Sequence, residues 1–212
     1  EFGGAVTGNG FLKKTVEEIT TGVEKDEQKI AAIDSYVKKS IAWNGSTRKY
    51  PDNSLKKVLE EKKGTTAEIN LLLSSMLEKA GYKVSPVLIS TRDNGFLREH
   101  IPVSSQFNNV VCMVELGEKK LLLDATDGLL PTGILPERCL NGKGLVVSKS
   151  GYQWINLAGP SRSRSVVNAT LQVEANGEMK GQLLFENTGY YGYKVRKKYI
   201  SKGEEEYVKE FV

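Results

Sequence analysis

Few side chains in this sequence could act as a nucleophile or a base. The 212 residues include two cysteines, Cys112 and Cys139, and a single histidine, His100. A thiol becomes a strong nucleophile when a cation or a helix N-terminus favours its thiolate. Cys139 stands beside Arg138, a neighbour that could favour thiolate, but its surroundings read as structural. Cys112 lies inside the apolar run VVCMV, where a small buried hydrophobe is expected. His100 precedes Ile101-Pro102 in a loop and reads as a surface residue, able at most to swing toward Asp124. The cysteines form no CxxC pair and the carboxylates show no ligand spacing, so neither a metal nor a cofactor is expected. Thr65-Thr66-Ala67-Glu68 fits a capping box, with Thr65 as N-cap and Glu68 as the third helical residue. Thr66 is internal, has no α-amine of its own to use as a base, and would need an activating partner to attack anything.

The elements that must position these groups can be read from periodicity. Phe11, Leu12, Val16, Ile19 and Val23 fall near a 3.6-residue repeat, and Ile30, Ile33, Val37 and Ile41 predict a helix over 26–41 that Asp26 could cap. A short helix is expected over 54–63, stopped by Gly64. The helix over 66–80 has a wide apolar stripe (Ile69, Leu72, Leu73, Met76, Leu77, Ala80) and should be central and largely buried. Strands follow at 84–89, 107–116 and 119–123, with Pro86 arguing for an edge or a bulge in the first and Leu121-Leu122-Leu123 for cover on both faces of the third. A long loop over 127–144 separates these from short strands at 145–147 and 153–157; loops of that length are often functional. PSRSRS at 160–165 reads as a linker. Beyond it a hairpin is expected across Ala175-Asn176-Gly177, followed by a helix carrying Tyr190, Tyr191, Tyr193 and Tyr199. Helices first and an antiparallel sheet after make the fold class α+β.

Composition excludes several classes. Apolar residues make up 39% and charged residues 26%, with a net charge of +4, as in a soluble globular protein. Charges of both signs are interspersed and no basic run is interleaved with aromatics, so nucleic acid is not an expected partner. No stretch approaches the ~20 apolar residues of a membrane span. The chain opens on EFGG without an initiator Met and closes on the amphipathic EEYVKEFV. It is therefore expected to be a piece of a longer protein, and the absence of a signal peptide says nothing about compartment.

Residues from about 26 to 154 resemble the transglutaminase-like domain of the papain-type cysteine-protease superfamily. The resemblance is carried by Tyr36-Val37, IAWNG from Ile41, Lys63-Gly64, AEINLL from Ala67, PVLISTR from Pro86, Phe107-Asn108, LLDATD from Leu122 and LPERCLNG from Leu135. More narrowly, these motifs are similar to those of bacterial envelope proteins in which such a domain lies between two β-rich domains. The resemblance implies a domain at 1–159, the linker at 160–165, and the start of a truncated β-rich domain at 166–212. It also implies a periplasmic or cell-surface location and flanking β-rich domains as partners.

In enzymes of this superfamily a cysteine opens the central helix, a histidine opens the next long strand, and an aspartate ends the strand after it. Carried over, these positions fall on Thr66, on Asn109 (or Asn108 if the register slips by one) and on Asp124. Only the aspartate is kept. Asparagine cannot take a proton, so the resemblance implies a degenerate triad with no catalytic residue. Around it, Trp43, Asn108, Arg92 and His100 are candidates for lining a vestigial cleft that binds a peptide, a glycan or a protein. Three functions follow for comparison: a non-catalytic binding or scaffold module, a cysteine-type peptidase or amidase with a rearranged site, and a structural spacer. An open cleft lined by Trp43 and Arg92 favours binding, a Cys or His within reach of Asp124 favours the enzyme, and a cleft plugged by the 127–144 loop favours the spacer.

Overall fold

The computed structural model describes residues 9–101, 103–148, 151–158 and 162–210. The chain divides into two compact units, Glu1–Gly159 and Pro160–Val212. The first unit is α+β, as expected. A short 3₁₀ turn leads into α1 (Lys13–Thr20), followed by α2 (Asp26–Ser40), β1 (Ala42–Trp43), α3 (Leu55–Glu61), β2 (Lys63–Gly64) and the central helix α4 (Thr66–Lys79). The strands β3 (Lys83–Ile89), β4 (Asn109–Leu116), β5 (Lys119–Leu123), β6 (Lys143–Ser148) and β7 (Gly151–Asn156) form one sheet in the order β5-β4-β3-β6-β7, antiparallel throughout.

Alternation along the strands gives the sheet two apolar faces. On one, Cys112, Val114, Leu123 and Ala125 pack with Ile69, Leu72, Leu73 and Met76 of α4 and with Ile30, Ile33 and Val37 of α2. On the other, Val87, Ile89, Val111, Met113 and Val146 meet Leu135 and Cys139 of the 127–144 segment, with Leu157. This segment is the strap of the fold: it leaves β5 and reaches β6 on the far side of β3. The edge strand β5 is covered on both faces, since Leu121 packs into the first cluster and Leu122 into the second. Gly144 allows the strap to join β6 tightly, because a Cβ there would lie 2.6 Å from Val87 Cγ1.

Local details depart from the sequence reading in three places. Asp26 does not cap α2; it is the first helical residue, Lys25 is the N-cap, and the Asp26 carboxylate accepts from Tyr82 Oη at 3.0 Å. The α3 helix is ended by Lys62, in left-handed backbone at φ 53°, while Gly64 pairs in β2 beside β1. Pro86 sits in an interior strand. The β3–β6 pairing comprises only Val87↔Val146 and Leu88↔Leu145, so at Pro86 the strand has its neighbour on the β4 side alone and tolerates a missing N–H.

In the second unit, β8 (Ser165–Val173) pairs with β9 (Met179–Asn187) around a turn where Gly177 has φ 85°. Helices α5 (Gly189–Lys202) and α6 (Glu204–Val208) follow. Ser163 and Arg164, read as linker, belong to this unit: Arg164 exchanges hydrogen bonds with Thr188, and Ser163 Oγ accepts from Tyr190 N at 2.9 Å. Linker residues 160 and 161 lie outside the described residues.

Candidate functional site

The N-terminus of α4 is built as the sequence predicted. Thr65 Oγ1 accepts from Glu68 N, and Glu68 Oε2 accepts from Thr65 N at 2.7 Å, completing the capping box. Glu68 Oε1 also accepts from Asn53 N at 2.8 Å and from Asn53 Nδ2 at 2.9 Å. Burial pushes the Glu68 carboxyl up, but these hydrogen bonds outweigh it and hold its pKa below the usual value.

Thr66, the first residue of α4, is fully buried. Its hydroxyl donates to Arg48 O and accepts from Arg48 N, both at 2.9 Å, and its own N–H donates to Ser46 O at 3.1 Å. The hydroxyl is thus committed to the backbone of the 44–54 segment. Among the described residues it makes no hydrogen bond to a base.

Asn109 and Asp124 are brought together, with a third group between them. Ile89↔Asn109 is a register pair, so Asn109 shares the sheet face covered by the strap. Its Nδ2 lies 3.6 Å from Cys139 Sγ, and Cys139 Sγ lies 3.6 Å from Asp124 Oδ2. All three residues are buried. Asp124 is otherwise spent on structure: Oδ1 accepts from Thr126 N at 2.9 Å and from Thr126 Oγ1, capping the turn after β5. Oδ2 also accepts from Arg138 Nη2 at 3.3 Å.

Proximity of Cys139 to Asp124 was the feature that would favour an enzyme, but its environment opposes reactivity. Burial pushes the thiol well above its ordinary pKa, the Asp124 carboxylate pushes it further, and Arg138 offsets only part. Arg138 thus does favour the thiolate, as expected, but burial and Asp124 outweigh it. Cys112 is also fully buried, and burial raises its thiol to about 12.

The remaining candidates are split. Trp43 is half-buried, and the Arg138 guanidinium lies over its ring at 4.5 Å from the centroid. Arg92 is exposed; its N donates to Arg138 O at 2.9 Å and its Nε to Leu140 O at 2.8 Å. Asn108 ties the end of β3 to the start of β4, accepting from Thr91 N at 2.9 Å and donating to Thr91 Oγ1 at 2.7 Å. His100 is exposed on the β3–β4 loop and is not joined to Asp124.

Two important residues were not singled out from sequence. One is Arg138, noted only as a neighbour of Cys139. The other is Asn70, one helical turn beyond Thr66. The β4–β5 ladder ends at Cys112↔Leu123. Two residues further along each strand Asn70 bridges instead, donating to Val110 O and accepting from Ala125 N, both at 2.9 Å. This inserted amide holds α4 against the residues adjoining Asn109 and Asp124. The available signal was a polar residue in line with Thr66 and Ser74, within a helix otherwise rich in apolar residues.

A capped central helix is packed against an antiparallel sheet, with Thr66 at the start of the helix, Asn109 at the start of β4 and Asp124 just after β5. Residues 13–114, spanning α1 to β4, match the transglutaminase-like superfamily. Among solved structures, a candidate protease from Parabacteroides distasonis ATCC 8503 aligns with TM-score 0.53 and 18% identity, over 73% of this chain and 29% of that one. A candidate cysteine protease from Cytophaga hutchinsonii aligns with TM-score 0.43 and 14% identity, over 84% of this chain and 52% of the other. The chain therefore spans less than two thirds of either protein. At these identities the first likeness speaks for the fold. Among curated proteins, none matches the chain.

Proposed function

We propose that this chain is a non-catalytic transglutaminase-like domain that serves as a scaffold module in a bacterial cell-envelope protein. The carrying observation is the state of the three triad positions. Thr66 Oγ1 is bonded twice to the Arg48 backbone, and the Asn109–Asp124 pair is occupied by Cys139 and Arg138 of the strap. A strap filling this end of the sheet supports a scaffold role close to the structural spacer, over a peptide- or glycan-binding cleft. The envelope location rests on the motif resemblance alone. Among the described residues no helix is long and apolar enough to cross a membrane.

The contrasting reading is a peptidase or amidase that uses Cys139. It needs a thiolate where burial and a carboxylate favour the thiol. The test is hydrolysis of fluorogenic peptide amides and amine transfer to glutamine peptides. The expected result is no turnover above the buffer rate. Turnover that scales with protein and is lost in Cys139→Ser and Asp124→Ala would overturn the proposal.

A further inference from the structure

We propose that Trp43, Asp124 and Thr126 form a guanidinium-binding pocket that the chain fills with its own Arg138. The pocket has a face and an edge. The face is the Trp43 ring, with Arg138 Cζ 4.5 Å from its centroid. A planar, weakly hydrated cation stacks on indole better than a compact ammonium does. The ring is held in place by its own N–H, which donates to Ser46 O at 3.0 Å. The edge is polar: Arg138 Nη2 donates to Asp124 Oδ2 at 3.3 Å and to Thr126 Oγ1 at 2.5 Å. Asp124 is fully shielded from solvent and the Arg138 side chain is 23% exposed, so the charge pair sits where water screens it weakly.

The walls do not depend on the guanidinium that fills them. Trp43 belongs to β1, which pairs with β2. Asp124 and Thr126 are joined to each other. The backbone that carries Arg138 is anchored independently: Arg138 O accepts from Arg92 N at 2.9 Å, Cys139 is in the core, and Asn141 Nδ2 donates to Gly95 O at 2.8 Å. Truncating Arg138 should therefore leave a shaped, negatively charged vacancy. The fit is to the planar end of the side chain, since Arg138 Nε is buried without a hydrogen-bond partner. The inference concerns the same end of the sheet as the proposed scaffold role. It is read by binding and not by turnover, so either can fail without the other.

The probe is methylguanidinium, with methylammonium as the control cation, and the readout is thermal unfolding of wild type and Arg138→Ala. At about ten times its Kd the ligand should raise the Tm of Arg138→Ala by roughly 3–6 °C. Wild type, whose pocket is filled, should shift by less than about 1 °C on that scale, and methylammonium should shift neither. Adding Asp124→Asn to Arg138→Ala should abolish the response. If Arg138→Ala does not fold unaided, methylguanidinium is expected to restore its helical circular dichroism, and failure to do so counts against the pocket. Equal shifts in wild type and variant, equal effects of the two cations, or a response that survives Asp124→Asn would each overturn it.

Discussion

Asn70→Ala is expected to lower the unfolding free energy by about 3–5 kcal/mol. Two losses add. Val110 O and Ala125 N each lose their partner, with both residues about 1% exposed; a buried backbone group left unsatisfied costs about 1–3 kcal/mol. The removed amide also leaves a small cavity between α4 and the sheet. Domains of this kind have only ~5–15 kcal/mol in total, so the variant should sit near the edge of folding. Urea unfolding followed by circular dichroism measures it. A loss below about 1 kcal/mol would mean that the bridge contributes no more than an ordinary surface contact.

Glu68→Ala is expected to cost about 2–4 kcal/mol, and its neutral analogue Glu68→Gln should expose a pH dependence. The carboxylate accepts from Thr65 N, Asn53 N and Asn53 Nδ2, and hydrogen bonds to a charged acceptor contribute about 1.5–3 kcal/mol each before the side chain's own desolvation is subtracted. Its folded pKa is lowered. A depressed carboxyl contributes stability that is present above the unfolded value, about 4.3, and is lost as pH falls through the folded value. The gap between wild type and Glu68→Gln should therefore be wide at pH 7 and should close in acid. Urea midpoints at about pH 7 and pH 3 read it, and a gap of equal size at both would contradict the assignment.

Much of this fold was legible because local and tertiary signals agree. The apolar stripe of α4, its capping box and the run of short strands each name their element without help from distant residues. Errors arose where a distant partner decides. Pro86 reads as an edge residue, and its position in the middle of the sheet follows only from how little of β6 pairs with β3. Gly64 reads as a helix stop, but the turn is taken by Lys62, and Gly64 is needed where Glu68 and Val58 approach its α-carbon. At the site, the motif resemblance gave Thr66, Asn109 and Asp124 their positions, and the structure brings the last two to one sulphur. What sits between and around them was not legible. The approach of Cys139 and Arg138 depends on the path of the strap, a segment with little periodicity, and the commitment of Thr66 to Arg48 depends on a loop 18 residues earlier in the chain.

The central claim is that this end of the sheet is a structural joint and not a reactive centre. Iodoacetamide labelling of the native protein, with Cys112 and Cys139 resolved by peptide mapping, tests it most directly. Labelling over pH of about 6 to 9 spans the range where an activated thiol would titrate. Cys139 is expected to react only through opening of the fold, at least about a thousandfold more slowly than a free thiol, at a rate that rises with urea as stability falls. Rapid labelling of Cys139 in the folded protein, with half-titration at or below about pH 8, would contradict it.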